Sequence, residues 1–306
     1  MNKTCALLVL NYNGAELLKK CLPSLIDDAN IPNTGNEIVI IDNKSTDDSK
    51  KIVLNEYPEV KWFEASANRF LISYNEYLAL CKHPYVFILN NDVILRKGCI
   101  SALLSKFDDP SVFSVAPFVL NPGDIPENGR TKLYWSFGRF FYKVVDFNQG
   151  LTATASTSAG MYDREKLVSM GGFDDLLFPM YGEEMDLTIR GYRRGWIVLF
   201  EPSAIADHIG SATINKKVMH YERRASLVKN RHLSMIKHIH NKFRLSEYFF
   251  WTILVMPFRL ISFDKGYLLG TIRAIRQFKQ ASLKRRIEKQ SAKITDDMLF
   301  KKLSSL

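Results

Sequence analysis

The sequence predicts an α/β protein with a mainly parallel central sheet, followed by a helical C-terminal extension. Three observations predict it. Over the first half of the chain, short apolar, β-branched runs alternate with stretches of helical spacing. Polar turn residues follow each run, and crossover helices between successive strands favour parallel pairing with right-handed connections. Beyond residue 215 the chain becomes basic and helix-rich.

Taken in order, the strand runs are Cys5 to Leu10, Glu37 to Asp42, Val60 to Ala65, Tyr85 to Asn90 and Val112 to Phe118. Between them the spacing predicts helices over Ala15 to Ile26, Thr46 to Glu56, Ser73 to Cys81 and Gly98 to Phe107, with Ser45 and Asp48 resembling a capping box at the second start. Pro122 to Arg130 is rich in turn formers and leads into an aromatic stretch, Leu133 to Val145, read as a hairpin. That hairpin is either a half-buried strand pair or an acceptor- or membrane-facing flap. Ser158 to Asp163, a helix from Arg164, a helix from Gly182 to Arg194 and a strand from Trp196 to Phe200 complete the body, and the tail begins near Ser211. The chain thus divides into an α/β body, residues 1–215, and an extension, residues 216–306.

A chain of 306 residues with 46% hydrophobic residues can bury a large core. Its cysteines, Cys5, Cys21, Cys81 and Cys99, lack zinc or disulfide-framework spacing, and a reducing, cytosolic compartment is expected. The apolar run after Lys3 ends at Asn11, short of a signal-peptide core. The net charge of +10 is concentrated in the tail, where Lys216 to Lys289 holds 18 Lys and Arg against 4 Asp and Glu, so the remainder is slightly acidic. Such a tail suits a polyanionic partner, an anionic membrane surface above all. Nucleic acid is not expected, because no recognised binding module accompanies the charge. Phe249 to Met256 is strongly apolar, but Pro257 and Arg259 interrupt it well short of the roughly 20 residues that span a bilayer. Helices lying in a membrane interface fit it, as do helices packed on the body with a solvated basic face.

Ligands of parallel sheets sit at the carboxyl ends of the strands. There the first run ends in Asn11-Tyr12-Asn13-Gly14 and the second in Asp42-Asn43-Lys44-Ser45, where Asp42 can accept from a ribose or base and Tyr12 offers a ring for stacking. Ordinary turn chemistry explains either cluster taken singly. The fourth run ends in Asn90-Asn91-Asp92, where a carboxylate at the mouth of a buried strand suits Mg²⁺ or Mn²⁺ bridging to a diphosphate. The most specific stretch is Gly171-Gly172-Phe173-Asp174, followed by Glu183-Glu184-Met185-Asp186-Leu187. Adjacent Glu183 and Glu184 point in different directions on a helix, so one can anchor the structure while the other faces the cleft as general base. His208 is a second metal ligand or a structural histidine.

These motifs together, in this order and spacing, resemble glycosyltransferase family 2, the inverting enzymes of the GT-A fold, and its rhamnosyltransferase-like members in particular. The carriers are Asn11-Tyr12-Asn13, Asp42-Asn43 with Ser45 and Asp47, Asn68 with Asn75, Asn90-Asn91-Asp92, Gly171-Gly172-Phe173-Asp174, the Glu183 to Leu187 block with Arg190, and His208. The resemblance implies that Tyr12 and Asp42 contact the nucleoside, with Asn11, Asn68, Asn75 and Asn91 also on the donor. It implies that Asp92 and His208 hold the metal, and that the catalytic base is Glu184, or Glu183 in another register. Three departures stand out: Glu184 where the family commonly has Asp, one acid rather than two in Asn90-Asn91-Asp92, and Asn68-Arg69-Phe70 where relatives carry glycine.

The expected activity is transfer of a sugar from a UDP- or dTDP-sugar to a glycan or polyprenyl-linked acceptor, in cell-surface polysaccharide assembly at the inner face of the cytoplasmic membrane. A sugar nucleotidyltransferase is the rival enzyme class, disfavoured by the lack of a Gly-rich phosphate loop after the first strand. A degenerate nucleotide-sugar-binding module is the non-catalytic rival.

Overall fold

The computed structural model describes residues 3–210 and 220–306. The expected boundary at residues 215 and 216 lies outside the described residues, as does Ser211. In chain order the body contains β1 (Cys5–Asn11), α1 (Ala15–Ala29), α2 (Ile31–Thr34), β2 (Glu37–Asp42), α3 (Ser49–Glu56), β3 (Lys61–Glu64), α4 (Tyr74–Leu78), β4 (Tyr85–Asn90), β5 (Val93–Leu95) and α5 (Cys99–Ser105). It continues with β6 (Val112–Asn121), β7 (Ile125–Pro126), β8 (Arg130–Ser136), β9 (Arg139–Asp146), β10 (Gly150–Leu151), β11 (Ala159–Asp163), α6 (Arg164–Ser169), α7 (Glu183–Arg193) and β12 (Ile197–His208).

The central sheet runs β10-β12-β6-β11-β4-β1-β2-β3. β1 pairs in parallel with both β2 and β4, whereas β11 is antiparallel to β4 and to β6, so the sheet is mixed around a parallel half. The register sets Asn11 beside Asp42 and Leu10 beside Asn90, which brings the polar ends of three strands to one edge. Burial explains why these runs form strands: every side chain from Cys5 to Val9 and from Ile38 to Ile41 is fully buried, as expected of a sheet covered on both faces.

Several expectations are corrected. α3 begins at Ser49 rather than Thr46, because the Ser45 hydroxyl is spent on Asp42, and Asp47 accepts from the Ser49 amide. The helix expected over Ser73 to Cys81 is a short 3₁₀ turn and a five-residue helix. The strand expected to end at Phe200 continues to His208, kinked by a register shift between Glu201 and Ile205, and this carries His208 to the cleft beside β5.

The extension folds as α8 (His220–His238), α9 (Lys242–Ile261), α10 (Lys265–Arg276), α11 (Phe278–Ser291) and α12 (Asp296–Ser304). Pro257 does not interrupt α9, which runs through it. Among the described residues no helix is long and apolar enough to cross a membrane. Of the two readings of the tail, packing on the body holds for much of it. Lys237 is 1% exposed and bridges Asp174 and Asp186, Lys284 reaches Asp174 at 2.6 Å, and Arg194 meets Glu288 at 2.8 Å. Leu233, Ile236, Ala274 and Ala281 close over Leu176. Lys237 and Lys284, two of the cations that appear uncompensated in the sequence, are therefore paired with carboxylates of the body.

Candidate active site

At the ends of β1, β2 and β4 the amides and carboxylate form one network. Asn11 Nδ2 donates to Asp42 Oδ1 and to Ser45 Oγ, both at 3.1 Å, while Asn91 Nδ2 donates to Asn11 Oδ1 at 2.8 Å. Asp42 also accepts from the Ser45 amide at 2.9 Å. Gly14 starts α1 beside this network, and a Cβ there would lie 2.1 Å from Asn91 Nδ2, so only glycine lets the turn pass. Tyr12 presents an accessible ring at the rim. The structure thus brings Asn11, Tyr12, Asp42 and Asn91 together. Asn68 lies apart in the following loop, accepting from the Phe70 amide at 3.3 Å. Asn75 lies beside another turn: its amide donates to the Phe173 carbonyl at 2.8 Å and accepts from the Phe173 amide at 2.9 Å, pinning the Gly171-Gly172-Phe173 turn.

Asp92 and His208, 116 residues apart, meet at 3.0 Å between Oδ1 and Nε2. On the other side of the ring, Nδ1 is 2.5 Å from Glu127 Oε2. The hydrogen bonds to Asp92 and then Glu127 raise the imidazole pKa to about 10, and a cation held at Nε2 takes the place of the proton on that nitrogen. Two oxygen and nitrogen ligands of one octahedral divalent ion, each about 2.1 Å from it, stand roughly 3 Å apart. The Asp92–His208 pair has that separation, and a carboxylate on the far ring nitrogen is the usual partner that orients a ligating histidine. Among the described residues no cluster of three or more acidic, His or Cys side chains converges on one point. A divalent ion sharing its shell with a diphosphate therefore fits this donor set better than an all-protein cage does.

α7 presents its carboxylates to different surroundings. Asp186 is 1% exposed and structural: it takes Arg190 Nε at 2.7 Å, His238 Nε2 at 2.8 Å and the Lys237 ammonium. Arg190 in turn donates to the Met170 and Gly172 carbonyls, tying α7 to the Gly171-Gly172 turn. Burial raises the Glu183 pKa to about 7, despite backbone donors from Glu183 and Tyr181. Glu184 accepts from the Thr157 hydroxyl at 3.1 Å and its amide at 3.3 Å, and burial raises its pKa, with a further push from the charge of Glu127. Glu184 is thus the carboxylate that feels the Asp92–His208–Glu127 cluster. The loop before α7 is held from the extension, where Asn230 Nδ2 donates to the carbonyls of Leu177, Met180 and Tyr181.

Sequence reasoning missed Glu127, Thr157 and Asn230. Glu127 lies in a segment rich in turn formers, and Asn128 folds that turn by donating to the Pro117 carbonyl at 2.9 Å. An acid inside such a turn was the available signal.

Residues 7–170, more than half of the chain, match the family model Glycosyl transferase family 2. The chain belongs to this family. It is 31% identical over 139 residues to the Pre-mycofactocin glycosyltransferase of Mycobacterium tuberculosis, an alignment covering 44% of this chain and 28% of that one. The chain therefore spans little more than a quarter of the length of this curated relative. It is 24% identical over 202 residues to the N-acetylglucosaminyl-diphospho-decaprenol L-rhamnosyltransferase of the same species, covering 56% of this chain and 66% of the relative. Among solved structures, GalNAc-T7 with UDP, GalNAc and Mn²⁺ superimposes with a TM-score of 0.65 at 18% identity, over 79% of this chain and 49% of that one, a likeness in fold. The family 2 chain described here has the GT-A fold.

Proposed function

We propose that this family 2 chain is an inverting glycosyltransferase that moves a sugar from a nucleotide-diphosphate donor onto a hydroxyl of a glycan or lipid-linked acceptor. One observation carries the reading: Thr157 holds the Glu184 carboxylate, whose pKa is raised by burial and then by the charge of Glu127, the residue that fixes His208 against Asp92, so an ionisable base stands within electrostatic range of the candidate cation site. The Asn11–Asp42–Asn91 network on the neighbouring strand ends suits a nucleoside and its phosphates.

In the proposed reaction the Glu184 carboxylate accepts the proton of the acceptor hydroxyl. The acceptor oxygen bonds to the anomeric carbon as the bond to the donor diphosphate breaks, its electron pair leaving with the nucleotide diphosphate. Attack opposite the leaving group inverts the anomeric centre. Asp92 and His208 would hold Mg²⁺ or Mn²⁺, which supplies charge neutralisation on the departing diphosphate. Thr157 orients Glu184, whose carboxyl is raised by burial and so holds the accepted proton more firmly than an exposed glutamate would. An acceptor linked to a polyprenyl diphosphate is supported by the name of the rhamnosyltransferase relative, which contains a diphospho-decaprenol, and such an acceptor would be met at the inner face of the cytoplasmic membrane.

The test is a donor screen with UDP-, dTDP- and GDP-sugars and Mn²⁺ or Mg²⁺, scoring nucleotide diphosphate release with and without a polyprenyl-linked acceptor. Metal-dependent release from one donor should fall by about 10²–10⁴ in Glu184→Gln, as expected for loss of a general base, and should be lost in Asp92→Ala. Absence of release from every donor, or a Glu184→Gln enzyme as active as wild type, would overturn the reading.

A further inference from the structure

A second cavity lies outside the cleft, walled by α8, α9, α10 and the β8–β9 hairpin tip. Its volume of 330 Å³ is at the lower end of small-molecule sites, which run from about 300 to 1,000 Å³. Four guanidiniums line it: Arg139 from β9, Arg224 and Arg231 from α8, and Arg259 from α9. Asp264 offsets two of them, bonding Arg224 at 2.7 Å and Arg259 at 3.4 Å. Arg139 and Arg231 have no carboxylate within ion-pair distance among the described residues, and Arg139 instead lies 5.0 Å over the Phe141 ring. Arg231 is solvent-exposed at the cavity, and the nearby charge of Arg139 adds to the positive potential there. Guanidiniums converging in a cavity recognise phosphate oxygens through paired, charge-assisted donors.

The same wall is strongly apolar on its outer side. Trp251 and Val255 of α9 face the cavity, while Phe250, Ile253, Leu254, Phe258 and Ile261 recur along that helix at three- and four-residue spacing and stay exposed, Ile253 to 70% and Ile261 to 77%. Phe137 at the hairpin tip adds to this surface. An anion site opening beside an uncovered apolar stripe fits an amphiphile, whereas nucleic acid would call for an extended basic track.

The cavity is tied to the cleft by two elements. Arg139 and Tyr142 are three residues apart on β9, about 10 Å along the strand and on its opposite faces, and the charge of Glu184 reaches the half-exposed Tyr142 phenol. On α8, Arg231 lies half a turn from Lys229, which donates to the Phe178 carbonyl in the loop before Glu183.

We propose that this cavity holds the diphosphate of a lipid-linked acceptor, with its hydrocarbon chain laid along the exposed face of α9. The inference rests on the transferase reading above and names the acceptor's lipid diphosphate as the group recognised. The sugar attached to that diphosphate then extends along β9 toward Glu184.

The experiment is calorimetric titration of the full chain, in EDTA to leave the cation site empty, with farnesyl diphosphate, farnesol and inorganic diphosphate. Farnesyl diphosphate should bind at least tenfold more tightly than either fragment, and saturating nucleotide diphosphate should not displace it. Replacing both Arg139 and Arg231 with Gln should weaken it by about tenfold per lost charge-assisted contact, while Lys at both positions should retain part of the affinity. Equal binding of inorganic diphosphate would make this a site for free anions, equal binding of farnesol a merely apolar groove, and wild-type affinity in the double Gln variant would place the ligand elsewhere; each overturns the proposal. Donor hydrolysis by the wild-type chain, measured without lipid, reads the transferase function separately, so failure of one reading is distinguishable from failure of the other.

Discussion

Replacing Lys237 with Met removes a cation that the extension inserts into the body. The Lys237 ammonium is 1% exposed and bridges Asp174, at 2.6 Å, to Asp186. Met matches the length of the side chain without its charge, so packing changes little and the effect is electrostatic. Asp186 keeps Arg190 and His238, and Asp174 keeps Lys284, so neither carboxylate is stripped completely. Removing one partner of a buried ion pair costs about 3–5 kcal/mol, and the surviving partners put the expected loss at the lower end, about 3 kcal/mol. With a urea dependence of about 3 kcal/mol per molar for a chain of this size, the unfolding midpoint should fall by about 1 M. Urea titration followed by far-ultraviolet circular dichroism and by tryptophan fluorescence measures it. The two probes should move together if the extension and the Gly171 to Asp186 region unfold as a unit. A midpoint within about 0.2 M of wild type, or a fluorescence transition that shifts alone, would refute the view that Lys237 joins them.

Two further outcomes follow from the same contacts. Burial raises the Asp174 carboxyl, but the charges of Lys237 and Lys284 outweigh it and hold the pKa at about 2. A carboxylate depressed in the folded state stabilises fully above its unfolded pKa of about 3.9 and loses that contribution as pH falls toward the folded value. Urea midpoints measured from pH 6 down to pH 2 should therefore drop more steeply below about pH 4 in the wild type than in Asp174→Asn. Gly138, at a φ of 69°, lets the hairpin tip lie on α9, where a Cβ would stand 2.7 Å from the Glu247 carbonyl. Gly138→Ala should cost about 1–3 kcal/mol and speed amide exchange across residues 130–146, and unchanged exchange there would show that the tip does not depend on this approach.

Much of the body was legible because its signals are local. β-branched runs such as Glu37 to Asp42 are buried on both faces, and their polar ends meet at one edge of the sheet; Asn11 beside Asp42, both buried, is that expectation realised. The pairing of Asp92 with His208 was legible through the family resemblance and not from local pattern, since a register shift near Glu201 decides where β12 ends. Glu127 was hidden because a turn has no periodicity, and its contact spans 81 residues. Asn75 illustrates the reverse, since an amide that suits a donor ligand serves a turn 98 residues away. The tail's charge misled for a related reason. Composition counts Lys237 and Lys284 as a solvated face, but only the tertiary arrangement shows Asp174 between them.

The hydrogen bonds around Arg193 bear on how the chain comes to be folded during synthesis. Arg193 closes the helix that begins with Glu183 and Glu184, is fully buried, and donates to the His238 carbonyl at 2.6 Å and to Asp296 Oδ1 at 2.5 Å, while its own carbonyl accepts from the Lys293 amide at 2.7 Å. While residues 293–296 are still to be made, a nascent chain holds this guanidinium without its counter-charge, a state costing several kcal/mol if buried. The helix bearing both glutamates therefore reaches its final setting late, after about a hundred further residues have been added at roughly 5–20 per second. A nonsense codon shortly before Asp296 would accordingly disable the helix of Glu183 and Glu184 while leaving residues 1–210 intact in sequence.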